Sequence, residues 1–116
     1  MSNIQEFVKI ACNALEDKKA IQPEVIDISK VSVVADYFII ASGSNENQVQ
    51  AMADNVIEKL EKAGCTCRQT EGYNSANWIL LDFGDIIVHL FNHEDRLFYD
   101  LERIWRDGEK VAMETL

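Results

Sequence analysis

The chain has 116 residues, 47% of them hydrophobic, and sets 20 acidic side chains against 11 basic ones for a formal net charge of −9. That length supports one core and one domain, and no apolar run approaches the roughly 20 residues that span a bilayer. The charge argues against nucleic acid as the main source of affinity, because such binding relies on lysine and arginine neutralising phosphates; a basic protein partner and plain solubility both remain open.

Three cysteines, Cys12, Cys65 and Cys67, are an odd number, and no basic region followed by an apolar stretch opens the chain. A reducing compartment follows, with the cytoplasm as the expected location. The single proline, Pro23, and the five glycines fall between periodic segments, leaving no interdomain linker. Residues 1–107 therefore read as a single domain and residues 108–116 as a loosely ordered tail.

Ser2 with Gln5 has the form of a capping box, and Ile4, Phe7, Val8, Ala11, Ala14 and Leu15 recur at helical spacing until the charged run 16–19. Pro23 opens a strand-like segment over 25–29 in which Ile26 and Ile28 flank Asp27. A second strand, 37–41, is continuously apolar, as expected of a central strand buried on both faces. After the Ser42-Gly43-Ser44 break, Ser44 or Asn45 caps a second helix with Val49, Met52, Ala53, Val56, Ile57 and Leu60 as its apolar stripe, and Gly64 ends it. Residues 66–71 read as a lateral strand. Residues 78–83 and 86–91 are the clearest strands, joined through Gly84 and Asp85 as an antiparallel hairpin. Asn92 with Asp95 caps a last helix that turns Leu97, Leu101, Ile104 and Trp105 inward, and Gly108 ends it. The order α-β-β-α-β-β-β-α predicts an α/β (α+β) domain, a mixed five-stranded sheet flanked by helices.

Gly43-Ser44 between a strand and a helix invites an anion-binding or nucleotidyltransferase reading. Such transferases need two strand carboxylates aimed at a divalent metal, and Asp54, about ten residues on, sits inside an amphipathic helix without a second acid. No Gly-Lys-Ser/Thr follows, so a P-loop also fails. Cys65 and Cys67 are spaced too closely for the usual zinc pair, and His89 and His93 are not a helical pair, so no metal is expected. Asp82, Asp85 and His89 raise general acid–base chemistry, but no nucleophile accompanies them. Strand alternation puts Trp78, Leu80 and Asp82 on one face and Ile79, Leu81 and Phe83 on the other. An amphipathic aromatic beside a carboxylate resembles an interface anchor, while a packed tryptophan with turn aspartates satisfied by backbone amides fits the same pattern. Arg96, Tyr99, Asp100, Glu102 and Arg103 cover the outer face of the last helix, a solvated face or a continuation of one recognition surface.

Residues 36–44 (DYFIIASGS), Gln48, Ala51, Glu71-Gly72, 78–85 (WILLDFGD), 88–91 (VHLF), 96–102 (RLFYDLE) and Trp105 together resemble the ribosomal silencing factor family (RsfS, also called Iojap). The resemblance runs from the first helix to Trp105. It implies a nucleotidyltransferase-like fold without the active site, and a non-enzymatic translation factor with no cofactor. It further implies binding to the large ribosomal subunit through ribosomal protein L-fourteen, blocked joining of the small subunit, lowered translation under nutrient limitation, and a homodimer when free. Carried onto this chain, Trp78, Ile79 and Leu80 would anchor the partner, Asp82 and Asp85 would meet its basic side chains, and His89, Arg96 and Tyr99 would be rim or orienting groups. A degenerate nucleotidyltransferase-like nucleotide-binding protein centred on Gly43-Ser44 is the alternative.

Overall fold

The computed structural model describes residues 3–30, 35–92 and 109–111. Helix α1 (Asn3–Asp17) buries Val8, Ala11, Cys12, Ala14 and Leu15 along one stripe, the product of their three- and four-residue spacing. Beyond it Lys19 adopts a left-handed φ of 58°, and the Ala20 amide donates back to the Leu15 carbonyl. The expected Ser2 cap lies outside the described residues. Helix α2 (Glu46–Lys62) starts at Asn45, whose side chain accepts from the Gln48 amide at 2.8 Å. It ends in a Schellman arrangement in which Gly64, at φ 97°, donates to Glu61 and Cys65 donates to Leu60, so the last carbonyls keep partners. The buried Asn55 side chain donates to the Ala14 carbonyl at 2.8 Å and pins the two helices together.

Strands β1 (Ile21–Asp27), β2 (Tyr37–Gly43), β3 (Gln69–Glu71), β4 (Trp78–Asp82), β5 (Ile86–Asn92) and β6 (Glu109–Val111) form one sheet in the order β3-β4-β5-β2-β1-β6. The one parallel pair, β2 with β5, lies at its centre, in register from Tyr37 opposite Ile86 to Gly43 opposite Asn92. The neighbouring pairs are antiparallel, including the expected β4–β5 hairpin. Its turn closes with Phe83 N–H donating to Ile86 and Gly84 at φ 93°. The Asp85 carbonyl accepts from the amides of Asp36 and Tyr37, which ties the turn to the start of β2.

Two expectations change. Strand β1 begins before Pro23 rather than at Val25, because Gln22 at φ 47° and a register shift between Ile21 and Glu24 carry the chain past a proline that has no amide to donate. Residues 109–111, expected in a loose tail, form a sixth strand on β1, where they cover an otherwise unpaired row of backbone groups. The last helix expected after Asn92 lies outside the described residues.

Alternation divides the sheet chemically. Val25, Ile39, Ala41, Ile79, Leu81, Val88 and Leu90 share a core with α1 and α2. Ile26, Ile28, Ala35, Ile40 and Phe91 form a second cluster that contains no residue of either helix, with Phe38, Trp78 and Ile87 partly buried against it. Among the described residues no helix is long and apolar enough to cross a membrane.

Candidate functional site on the second sheet face

Strand β4 alternates half-buried and buried positions along its whole length. Trp78, Leu80 and Asp82 therefore keep solvent-accessible surface on the second face, as alternation predicts, while Ile79 and Leu81 are wholly enclosed on the helix side. This corrects the expectation for Ile79: a fully buried core side chain offers a partner no surface to grip. Arg96 and Tyr99 lie outside the described residues.

Trp78 sits on aromatic neighbours from the adjoining strand β5. Its ring stacks on Phe91 at a centroid distance of 5.4 Å and 25°. Its indole N–H donates to Nδ1 of His89 at 3.2 Å. His89 is also met edge-on by Phe38 at 4.7 Å and 72°. Because an indole nitrogen can only donate, His89 is the neutral tautomer that carries its proton on Nε2. That Nε2 is buried with no hydrogen-bond partner among the described residues. Desolvation pushes the His89 pKa from 6.5 down to about 4. His89 is thus an interior group behind the surface, and any role at the rim belongs to its neighbours. The β4–β5 hairpin register sets Phe91 opposite Trp78; the parallel β2–β5 pairing that brings Phe38 to His89 is not written in local periodicity.

Asp82 closes the acid end of the face. One carboxylate oxygen accepts from the Gly84 amide at 2.8 Å, so the residue stabilises the turn and still presents charge. Asp85, at the tip of the same turn, is exposed. The aromatic and acidic ends are separated by the half-buried Leu80.

The approach to Trp78 is fixed from α2. Tyr73 O–H donates to Asp54 at 3.0 Å, and the Gln50 side chain donates to the Tyr73 carbonyl at 2.8 Å. The hydrogen bond to Asp54 raises the Tyr73 pKa. Ala76 is fully buried at a left-handed φ of 54° and donates to the Gly72 carbonyl. Gly72, at φ 77°, lies so close to β4 that a Cβ there would meet the Trp78 carbonyl oxygen at 2.1 Å. Only glycine fits that approach.

The β2–α2 turn has its own closed network. The Ser44 amide and hydroxyl both donate to the Gln48 side-chain oxygen, at 2.6 and 2.7 Å. The Gln48 amide nitrogen donates to the carbonyls of Lys18 and Lys19 at 2.9 and 3.0 Å. Donors that could face a phosphate are turned onto the chain's own glutamine. Gly43 is required there by packing, since a Cβ would meet Val49 at 2.8 Å. All three cysteines are free thiols, and burial lifts Cys12 to about 12. Among the described residues no three His, Cys, Asp or Glu side chains gather as a metal site would require.

The fold and this face define an α+β domain that carries a half-buried aromatic and a carboxylate on the sheet face away from α1 and α2, with paired strand carboxylates absent from the β2–α2 turn. The chain matches the family model "Ribosomal silencing factor during starvation" over residues 1–116. It is 40% identical to the ribosomal silencing factor RsfS of Halalkalibacterium halodurans, over 98% of this chain and 97% of that one. A crystal structure of a Chromobacterium violaceum protein superposes with a TM-score of 0.87 at 38% identity, covering 97% of this chain and 92% of that one. More distantly, it is 30% identical to a mouse protein named for mitochondrial assembly of the ribosomal large subunit, over 79% of this chain and 44% of that protein. The chain belongs to the ribosomal silencing factor family, RsfS or Iojap.

Proposed function

We propose that this chain silences ribosomes by occupying the large subunit, through the basic ribosomal protein L-fourteen, at the place where the small subunit docks, and so lowers translation when nutrients are short. The observation that carries the reading is the second sheet face, where half-exposed Trp78 and Leu80 run into Asp82. Half-buried aromatics flanked by charge are the usual anchors of protein interfaces. The net charge of −9 favours a basic protein surface and disfavours RNA as the chief contact. The large-subunit name of the mouse relative points the same way. In this reading the protein acts in the cytoplasm, forms a homodimer when free, and does no chemistry. Engagement of Ser44 by Gln48 supports the last point, since a nucleotide would first have to displace that contact.

Co-sedimentation with purified large subunits, followed by a subunit-joining gradient, tests the proposal. The protein should travel with free large subunits and reduce joined ribosomes. Trp78→Ala and Asp82→Arg should each weaken binding about tenfold or more while circular dichroism stays that of the folded chain. Binding to small subunits alone, or joining left unaffected, overturns it; saturable magnesium-dependent nucleotide binding in calorimetry would favour the nucleotidyltransferase-like alternative.

A further inference from the structure

Among the described residues, His89 is the costliest side chain on the second face. A buried ring nitrogen that keeps its proton and has no acceptor is a desolvation penalty that a phenylalanine at the same position would avoid. The surroundings would accept that phenylalanine, because Phe38, Trp78 and Phe91 already bracket the ring. What phenylalanine could not supply is the other nitrogen. Nδ1 holds the indole N–H of Trp78 at 3.2 Å. Stacking on Phe91 limits how far the indole can tilt. The hydrogen bond sets where the indole N–H points.

We infer that His89 is a positioning residue for partner binding: its Nδ1 fixes the Trp78 indole, so that Trp78 meets the large subunit with its ring face and withholds its N–H. The inference rests on the proposal that this face docks on the large subunit, and it narrows the contact. A partner group on Trp78 is then aliphatic or a guanidinium that stacks on the ring, not a hydrogen-bond acceptor for the indole. A side chain held in one orientation before docking loses less freedom on docking, which is the gain that offsets the orphaned Nε2.

The test compares the intact protein with His89→Phe, which keeps the ring and removes the acceptor, and with His89→Asn, whose side-chain oxygen can reach about where Nδ1 sits. Two readouts are taken at pH 7: hydrogen exchange of the Trp78 indole N–H by nitrogen-15 NMR, assigned with Trp78→Phe, and affinity for purified large subunits. The expected pattern is a protected indole N–H in the native protein, lost in His89→Phe together with about tenfold or more of the affinity, and both partly restored in His89→Asn. The unfolding midpoint of His89→Phe should be no lower than that of the native protein. An unprotected indole in the native protein, or undiminished affinity in His89→Phe, overturns the inference. Failure of the native protein to bind large subunits overturns instead the functional proposal on which it rests.

Discussion

Acid should destabilise this protein through His89 in a window that can be calculated. The imidazole is neutral in the fold because burial holds its pKa at about 4, against 6.5 when unfolded. Between those values the unfolded chain binds a proton that the folded chain refuses, so stability rises with pH across the window and falls as pH drops through it. At about 1.36 kcal/mol per unit, the full difference is about 3 kcal/mol, of which about 2 kcal/mol is lost by pH 5. The perturbation is His89→Phe, which has no proton to bind in either state. Asp27, whose pKa is lowered chiefly by the Ser29 hydroxyl, also loses stability in acid, but it does so equally in both proteins and cancels. Urea unfolding at pH 7, 6, 5 and 4.5 supplies the two curves. The native protein should lose about 2 kcal/mol more than the variant between pH 7 and pH 5. Parallel curves would refute the reasoning, because they would mean that the folded state takes the proton as readily as the unfolded one.

Two further outcomes follow from close contacts elsewhere. Gly72→Ala should cost at least about 2 kcal/mol in urea unfolding, since a left-handed φ and a Cβ at 2.1 Å from the Trp78 carbonyl oxygen force β4 to shift; it should also lower large-subunit affinity by displacing Trp78. Asn55→Ala removes the bond to the Ala14 carbonyl and leaves that acceptor without it, a loss of about 1–3 kcal/mol that thermal unfolding should register.

Much of the architecture could be read from local pattern. The cap of α2 at Ser44 or Asn45, which the structure resolves to Asn45, Gly64 beyond its end, and the hairpin through Gly84 each depend on residues close in sequence, so short-range rules reach them. The division of Trp78, Leu80 and Asp82 from Ile79 and Leu81 likewise follows from a period of two. Ile79, which the family resemblance groups with Trp78 and Leu80, falls on the enclosed side of that same alternation. What local pattern could not show were contacts made by distant segments. The early start of β1 depends on an irregularity that slips past Pro23, and β6 depends on an open edge at β1. The anchoring of Gln48 on the Lys18 and Lys19 carbonyls and the edge-on approach of Phe38 to His89 likewise arise only once the chain has folded.

The parallel β2–β5 pair at the centre of the sheet also bears on how the chain is born. All of α2, β3 and β4 lie between its two strands, so β2 has no neighbour on its β5 side until the ribosome has released almost the whole protein. A nascent chain halted after α2 would expose the unpaired edge of β2, which in the native sheet is a central, largely buried strand. Folding through so distant a contact is intrinsically slow compared with closing a hairpin. The β4–β5 hairpin that presents Trp78 is the unit whose arrival supplies the parallel partner of β2, so a chain able to display that face has also closed its own centre.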